Sequence, residues 1–221
     1  MSNNNLQTII DSITHNLETA DSAREKALPL HRQVIRQCSL AVRAIHRREF
    51  DEARTRLSEA KVQLDEISSL IQPHPEVCYA GFLQDAQKEF AEASLTLAIV
   101  TQNELPTPQE LNMGEAPYVN GLAECIGELR RHSLDRMRLG EMLESERRME
   151  VRDAIFCALT TLDFPDGLTR GLRRNTDIAR GCLEKTRGEL TASKENQRLI
   201  AQMNLLRSSV LECSHQPAPN H

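Results

Sequence analysis

A chain of 221 residues can bury one sizeable core and needs no second one. Apolar residues at 39% and charged residues at 27% exclude a disordered tail, and aromatics at 3% with no Trp argue against a large sheet. The formal net charge of −5 provides no general attraction for nucleic acid, so any phosphate contact has to come from a local basic face.

Leu6, Ile9, Ile10, Ile13 and Leu17 recur at helical spacing and predict a first amphipathic helix. A second starts near Ser22, with Glu25 completing a capping box, and runs to about Arg48. Its apolar positions are Leu28, Ile35, Leu40, Val42 and Ile45, and Pro29 should sit near its start or kink it. Phe50 to Ile71 reads as a third helix, ended by Gln72-Pro73-His74-Pro75. A long helix follows from about Glu76 to Thr101. A Pro-rich connection leads to another from Pro117 to Arg138, with Tyr118, Leu122, Cys125 and Leu129 as its apolar stripe. Gly140 marks a turn, Arg147 to Leu162 is helical, and Pro165-Asp166-Gly167 is a turn. One or two further helices reach Leu211, with Leu168, Leu172, Ile178, Leu183 and Leu190 as apolar positions. The expectation is an all-α, single-domain bundle of about seven helices over 1–213, with a flexible tail over 214–221.

The N-terminus has no apolar leader core, and no run approaches the ~18 apolar residues of a membrane span. The expected setting is the cytoplasm, with no membrane partner. Cysteines at 38, 78, 125, 157, 182 and 213 include no CxxC pair and read as buried free thiols rather than zinc ligands.

The chemistry lies on the fourth and fifth long helices. At ~100° per residue, Asp85, Glu89, Glu92 and Thr96 fall on one narrow stripe beside the apolar face of Phe82, Ala86, Phe90, Ala93 and Leu97. Glu124 and Glu128, four apart, flank the apolar stripe of the next helix, where Gly121 and Gly127 leave room. Like charges at these spacings repel, and a hard divalent cation would offset the repulsion. Spacing alone equally allows two solvated acidic faces, as Glu141/Glu144 and Glu59/Glu66 illustrate. A di-iron site fits poorly, because no Glu-x-x-His pair supplies imidazole.

Arg32, Arg36, Arg43 and Arg47 form a basic stripe on the second helix, and Arg130, Arg131, Arg136 and Arg138 follow the second acidic pair. Such a stripe can track a phosphate backbone, or it can consist of surface arginines paired with Glu49, Asp51 and Glu52. Stacking aromatics are scarce, which argues against base-specific recognition. His46 and His132 read as packing or phosphate-contacting residues rather than general bases.

Gln87-Lys88-Glu89-Phe90-Ala91-Glu92-Ala93 resembles the Gln-Glu-[Tyr/Phe]-x-Glu-Ala motif of Trax in the translin/Trax family, with Lys88 standing where the family has Gln. Tyr118 to Arg131 resembles the family's Tyr-Leu-x-Gly-x-x-[Asp/Glu]-x-x-Gly-Glu-Leu-x-Arg motif, and Ala41 to Arg47 is similar to a helix of archaeal-type members. The resemblance spans about residues 22 to 190. It implies assembly into a hollow homo-oligomer, commonly an octamer, that cuts RNA with Mg²⁺ (Mn²⁺ being the alternative ion). Glu89, Glu92, Glu124 and Glu128 would be its catalytic and metal-binding set. Glu124 stands where Trax often has Asp. The resemblance also brings Arg32, Arg36 and Arg131 near the acidic site and, with Arg43, assigns them to nucleic acid. The implied partner is single-stranded or partly structured RNA, with single-stranded DNA as a further candidate. The alternative is a translin-like oligomer that binds single-stranded RNA or DNA without cutting it.

Overall fold

The computed structural model describes the backbone of residues 3–78 and 81–214. Its described residues form eight helices and no strand: α1 Asn3–Arg47, α2 Phe50–Ile71, α3 Pro75–Cys78, α4 Gly81–Val100, α5 Glu115–Arg138, α6 Met142–Thr160, α7 Asp166–Thr169 and α8 Leu172–Ser214. The all-α expectation holds, and two of the eight are single turns. Residues 215–221 of the expected tail lie outside the described residues, while Ser214 still ends α8.

The largest departure is at the start of the chain. The two predicted helices are one, and neither Ser22 nor Pro29 interrupts it. No breaker separates the segments, and the small buried residues Ala20, Ala23 and Ala27 carry the packed face straight across the junction. Pro29 removes the amide that would bond the carbonyl of Glu25. Both residues are exposed, so water can satisfy that carbonyl and the helix continues. The helix expected over 76–101 appears as α3 and α4, with 79–80 outside the described residues. α6 begins at Met142, five residues earlier than expected, directly after Gly140 turns the chain at φ 80°.

α1 and α2 form an antiparallel hairpin, turned at Arg48 in the left-handed conformation, that packs on α4. α5 lies against α4, and α6 and α8 close over α5. α4 is therefore sandwiched. Ala86, Phe90 and Ala93 face the α1–α2 core, while Ala91, Leu95, Ile99 and Val100 face the α5–α6–α8 core. Burial on both sides leaves α4 only a narrow polar edge, and that edge carries the glutamates.

Several apolar positions are not covered within the chain. Leu6, Ile9, Ile10, Ile13 and Leu17 on α1 are exposed, as are Leu199, Ile200, Met203, Leu206 and Val210 on α8. Leu168 and Ile178, expected in the core, are also exposed, whereas Leu172, Leu183 and Leu190 are buried. Among the described cysteines, all free, Cys38 and Cys125 are buried and burial pushes the Cys125 thiol up to about 12. Cys157 is exposed, against expectation, because it falls on the outer side of α6. The side chains of Cys78 and Cys213 lie outside the described residues. No helix among the described residues is long and apolar enough to cross a membrane.

Candidate metal centre

Gly121 brings the two acidic helices together. A Cβ built there would stand 2.7 Å from the Lys88 carbonyl oxygen, 2.7 Å from Ala91 Cβ and 2.9 Å from the Glu92 amide nitrogen. Only glycine lets α5 approach the backbone of α4 this closely. One turn further along α5, Glu124 then faces Glu89 and Glu92. Thr96, on the same edge of α4, is fully buried and donates its hydroxyl to Cys125 Sγ at 3.2 Å, which pins the crossing from the other side. Gly127 does not make the room expected of it, since it is exposed and a Cβ there would meet nothing within 4 Å.

Glu89, Glu92 and Glu124 each offer a carboxylate oxygen within 4.8 Å of the others. All three are half-buried. Burial, followed by the charges of Glu89, Glu124 and Glu128, pushes the Glu92 carboxyl up to about 8. Burial also raises Glu89, against the lowering effect of the Lys88 charge. Glu128 stands outside this triad. Its Oε2 lies 2.6 Å from His46 Nε2, and that bond holds its carboxyl below the usual range despite burial, aided by the charges of His46 and Arg131. The structure thus joins three of the four expected glutamates directly and ties the fourth to a histidine.

Hard oxygen donors, half-buried and mutually repelling, fit a divalent cation such as Mg²⁺ or Mn²⁺. A neutralising charge is already present in part. Lys88 Nζ lies 2.9 Å from Glu124 Oε1 and 3.6 Å from Glu89 Oε1. Burial works against its ammonium, but the hydrogen bond to Glu124 and the charges of Glu124, Glu89 and Asp85 outweigh it and hold the ammonium above the ordinary lysine value. On the other side, Asn175 Nδ2 donates to Glu124 Oε1 at 3.3 Å and to Asn120 Oδ1 at 3.0 Å. The Asn120 amide in turn donates to the carbonyls of Ala116 and Thr169. α8 and the α7 turn therefore help to set the position of Glu124.

These polar partners were not foreseen from the sequence. His46 carried a signal, being a histidine inside an apolar helical pattern. Asn120 and Asn175 carried none, because the contact depends on a helix more than fifty residues away. His132 is buried and lowered to about 4 by burial and by the charges of Arg148, Arg136 and His46, so it is neutral and packed. A cavity of about 490 Å³ opens beside Lys88 and Glu124 and is lined also by Asp85, Asn120, Arg170, Arg174 and Asn175.

The four arginines assigned to nucleic acid are exposed, whereas Arg130 is half-buried and Arg136 buried. Arg32, Arg36, Arg43 and Arg131 make no ion pair among the described residues. Glu49, Asp51 and Glu52 are engaged instead by Arg47, Arg54 and Arg56. Arg131 lies near enough to Glu128 to favour its charge, and Arg32 adjoins His31, which packs edge-on against Phe82 of α4.

No family model matches the chain. It is 35% identical over 185 residues to the uncharacterized protein MJ0175 of Methanocaldococcus jannaschii, covering 83% of this chain and 82% of that protein. The crystal structure of AfC3PO is similar with a TM-score of 0.78 and 29% identity, over 85% of this chain and 97% of that one. A complex of AfC3PO with duplex RNA matches with a TM-score of 0.77 over the same shares. The fold of apo-NeC3PO is also alike, with a TM-score of 0.75 at 14% identity over 83% and 96% of the two chains.

Proposed function

From the premise that this chain belongs to the translin/Trax family and is of its archaeal type, we propose that it is a divalent-metal-dependent endoribonuclease. The observation that carries the reading is the triad itself. Three carboxylates from α4 and α5 are held within 4.8 Å in a half-buried seam, where burial and then the charges of Glu89, Glu124 and Glu128 push Glu92 up to about 8. Glu89, Glu92 and Glu124 would hold Mg²⁺ or Mn²⁺, with Glu128 held in reserve by His46. The ion's contribution when bound is to polarise a phosphoryl oxygen and lower the pKa of a water. The protein's own residues hold the RNA. The unpaired arginines Arg32, Arg36, Arg43 and Arg131 take backbone phosphates, and Asn120 and Asn175 keep Glu124 turned into the seam.

AfC3PO has been solved with duplex RNA, and its likeness to this chain supports RNA as the substrate. Single-stranded DNA is a second candidate ligand through the same arginines. The exposed apolar stripes at the start of α1 and along the end of α8 support assembly into a hollow homo-oligomer, an octamer in the family pattern. A light-scattering mass tests that assembly.

One observation favours a second reading. Lys88 already neutralises part of the triad, as suits a protein that binds RNA or single-stranded DNA without cutting it. Cleavage of structured and unstructured RNA in Mg²⁺, with and without EDTA, separates the two. The nuclease reading expects EDTA to abolish cutting and Glu89→Gln to reduce it on the order of a hundredfold or more. Metal-independent binding with no cutting by the wild type would leave the binding protein.

A further inference from the structure

Lys88 stands between two environments. On one side are Glu124 and Glu89, with its ammonium 2.9 Å and 3.6 Å from their oxygens. On the other is the cavity of about 490 Å³ lined by Asp85, Arg170 and Arg174. The two guanidiniums are exposed and make no ion pair among the described residues. Arg170 sits in the left-handed conformation at φ 48°, at the end of α7. A side chain other than glycine adopts that backbone at a cost, and here it places a cation on the cavity wall.

We propose that Lys88 is a resident counter-cation of the triad, which yields its place to a divalent ion and passes to an RNA phosphate held in the adjoining cavity with Arg170 and Arg174. The inference rests on the metal-dependent reading above and adds a residue that couples ion to substrate. An ammonium bonded to Glu124 and near Glu89 is a like charge on the doorstep of any cation those carboxylates take, so the two compete. The lysine stem is long and rotatable, and both it and Glu124 of the triad line the cavity. Once Glu124 serves an ion, the cavity presents Lys88, Arg170 and Arg174 against the single free acid Asp85. That excess of positive charge suits one phosphate group, gripped by the forked guanidiniums and neutralised by the ammonium.

The test uses the full-length protein. Calorimetric titration of Mn²⁺ into Lys88→Gln should show binding roughly tenfold tighter than into wild type, because a competing charge is gone. A non-cleavable 2′-O-methyl RNA oligonucleotide should bind wild type more tightly when Mn²⁺ is added, and this gain should shrink in Lys88→Gln and in Arg170→Ala/Arg174→Ala. A second measurement needs no substitution. The chain has five lysines, and after reductive ¹³C-methylation the Lys88 resonance alone should shift on adding Mg²⁺. Equal or weaker Mn²⁺ affinity in Lys88→Gln, an undiminished RNA gain, or a Lys88 resonance that ignores Mg²⁺ would overturn the proposal. If neither wild type nor variant binds Mn²⁺, the metal reading itself falls and takes this one with it. Equal binding by both removes only the role of Lys88.

Discussion

Charge is buried twice along α5, and the two districts resolve it differently. Around Glu124 the acids outnumber their cations, and among the described residues Lys88 is the one ammonium bonded to the triad. Around Arg136 the cations outnumber the acids. Arg148 is almost fully buried, yet its guanidinium donates to the carbonyls of Ile99 at 2.7 Å and Val100 at 3.1 Å, and to Glu144. Those carbonyls end α4, so the arginine caps the negative pole of the helix that carries the glutamates. Arg152, fully buried, donates to the Cys182 carbonyl and the Thr186 hydroxyl. The basic district is held by backbone carbonyls, the Thr186 hydroxyl and the carboxylates of Glu141 and Glu144, and is structural. The acidic one is left partly open, which is where a ligand can contribute.

The largest effect should come from the contact on which the acidic seam depends. Gly121→Ala places a methyl 2.7 Å from a backbone oxygen that cannot move without shifting α4. It should cost about 3 kcal/mol in urea unfolding. It should also abolish Mn²⁺ binding in the fraction that folds, by parting Glu124 from Glu89. Full stability in Gly121→Ala would mean that the helices do not approach as described.

The basic district should make the protein sensitive to acid through His132. Its imidazole is lowered to about 4 in the fold, against 6.5 for an unburied group, by burial and by Arg148, Arg136 and His46. Between these values the unfolded chain takes up a proton that the folded one refuses. Stability from this group is therefore complete above about pH 6.5 and lost as pH falls towards 4, by roughly 3 kcal/mol. His132→Asn should flatten the pH–stability curve over that window. If wild type and variant lose stability in parallel there, His132 is not the group responsible.

These contacts show what could be read from the sequence and what could not. The spans of α2 and α5 and the shared edge of Glu89 and Glu92 follow from helical periodicity, a local property of consecutive residues. Proximity of Glu124 to Glu92 does not, because it depends on how closely two helices pass at Gly121. Glycine at that point was legible as space but not as contact. The bond between His46 and Glu128 joins residues 82 positions apart; a histidine inside the apolar pattern of α1 hinted at a partner but not at which one. Arg148 and Arg152 did leave one. They stand in register with Ser145, Met149, Ile155 and Leu159, so a stripe that turns out buried contains two cations. Burial of arginine runs against expectation for its type; the carbonyls at the end of α4 explain Arg148, and Cys182 and Thr186 of α8 explain Arg152.

Arg148→Leu tests that explanation. It puts apolar atoms into that buried space, takes the Arg148 donor from the Val100 carbonyl and leaves the Ile99 carbonyl with the Gln102 amide alone. A loss of about 2 kcal/mol is expected, read as a lower midpoint in urea. Metal affinity should fall less than stability, since the glutamates lie nearer the middle of α4, before its capped end. Should Arg148→Leu be as stable as wild type, the cap contributes nothing and the buried arginine needs another account.

The smallest effect has the opposite sign and is the sharpest contrast between the districts. Glu92 is desolvated and faces Glu89, Glu124 and Glu128, and the charge of Lys88 acts the other way on it. Glu92→Gln keeps the shape and removes a carboxyl whose ionised form the fold disfavours. In EDTA at neutral pH it should raise stability by about 1 kcal/mol, a few degrees in the thermal midpoint, because folding no longer has to protonate or desolvate a carboxylate and no partner is stranded. The same change should weaken Mn²⁺ binding and stop RNA cleavage. A residue whose removal stabilises the protein while weakening ligand binding is held for the ligand and not for the fold. A destabilised Glu92→Gln would place Glu92 with Arg148 as a structural charge, and the difference between the two districts would disappear.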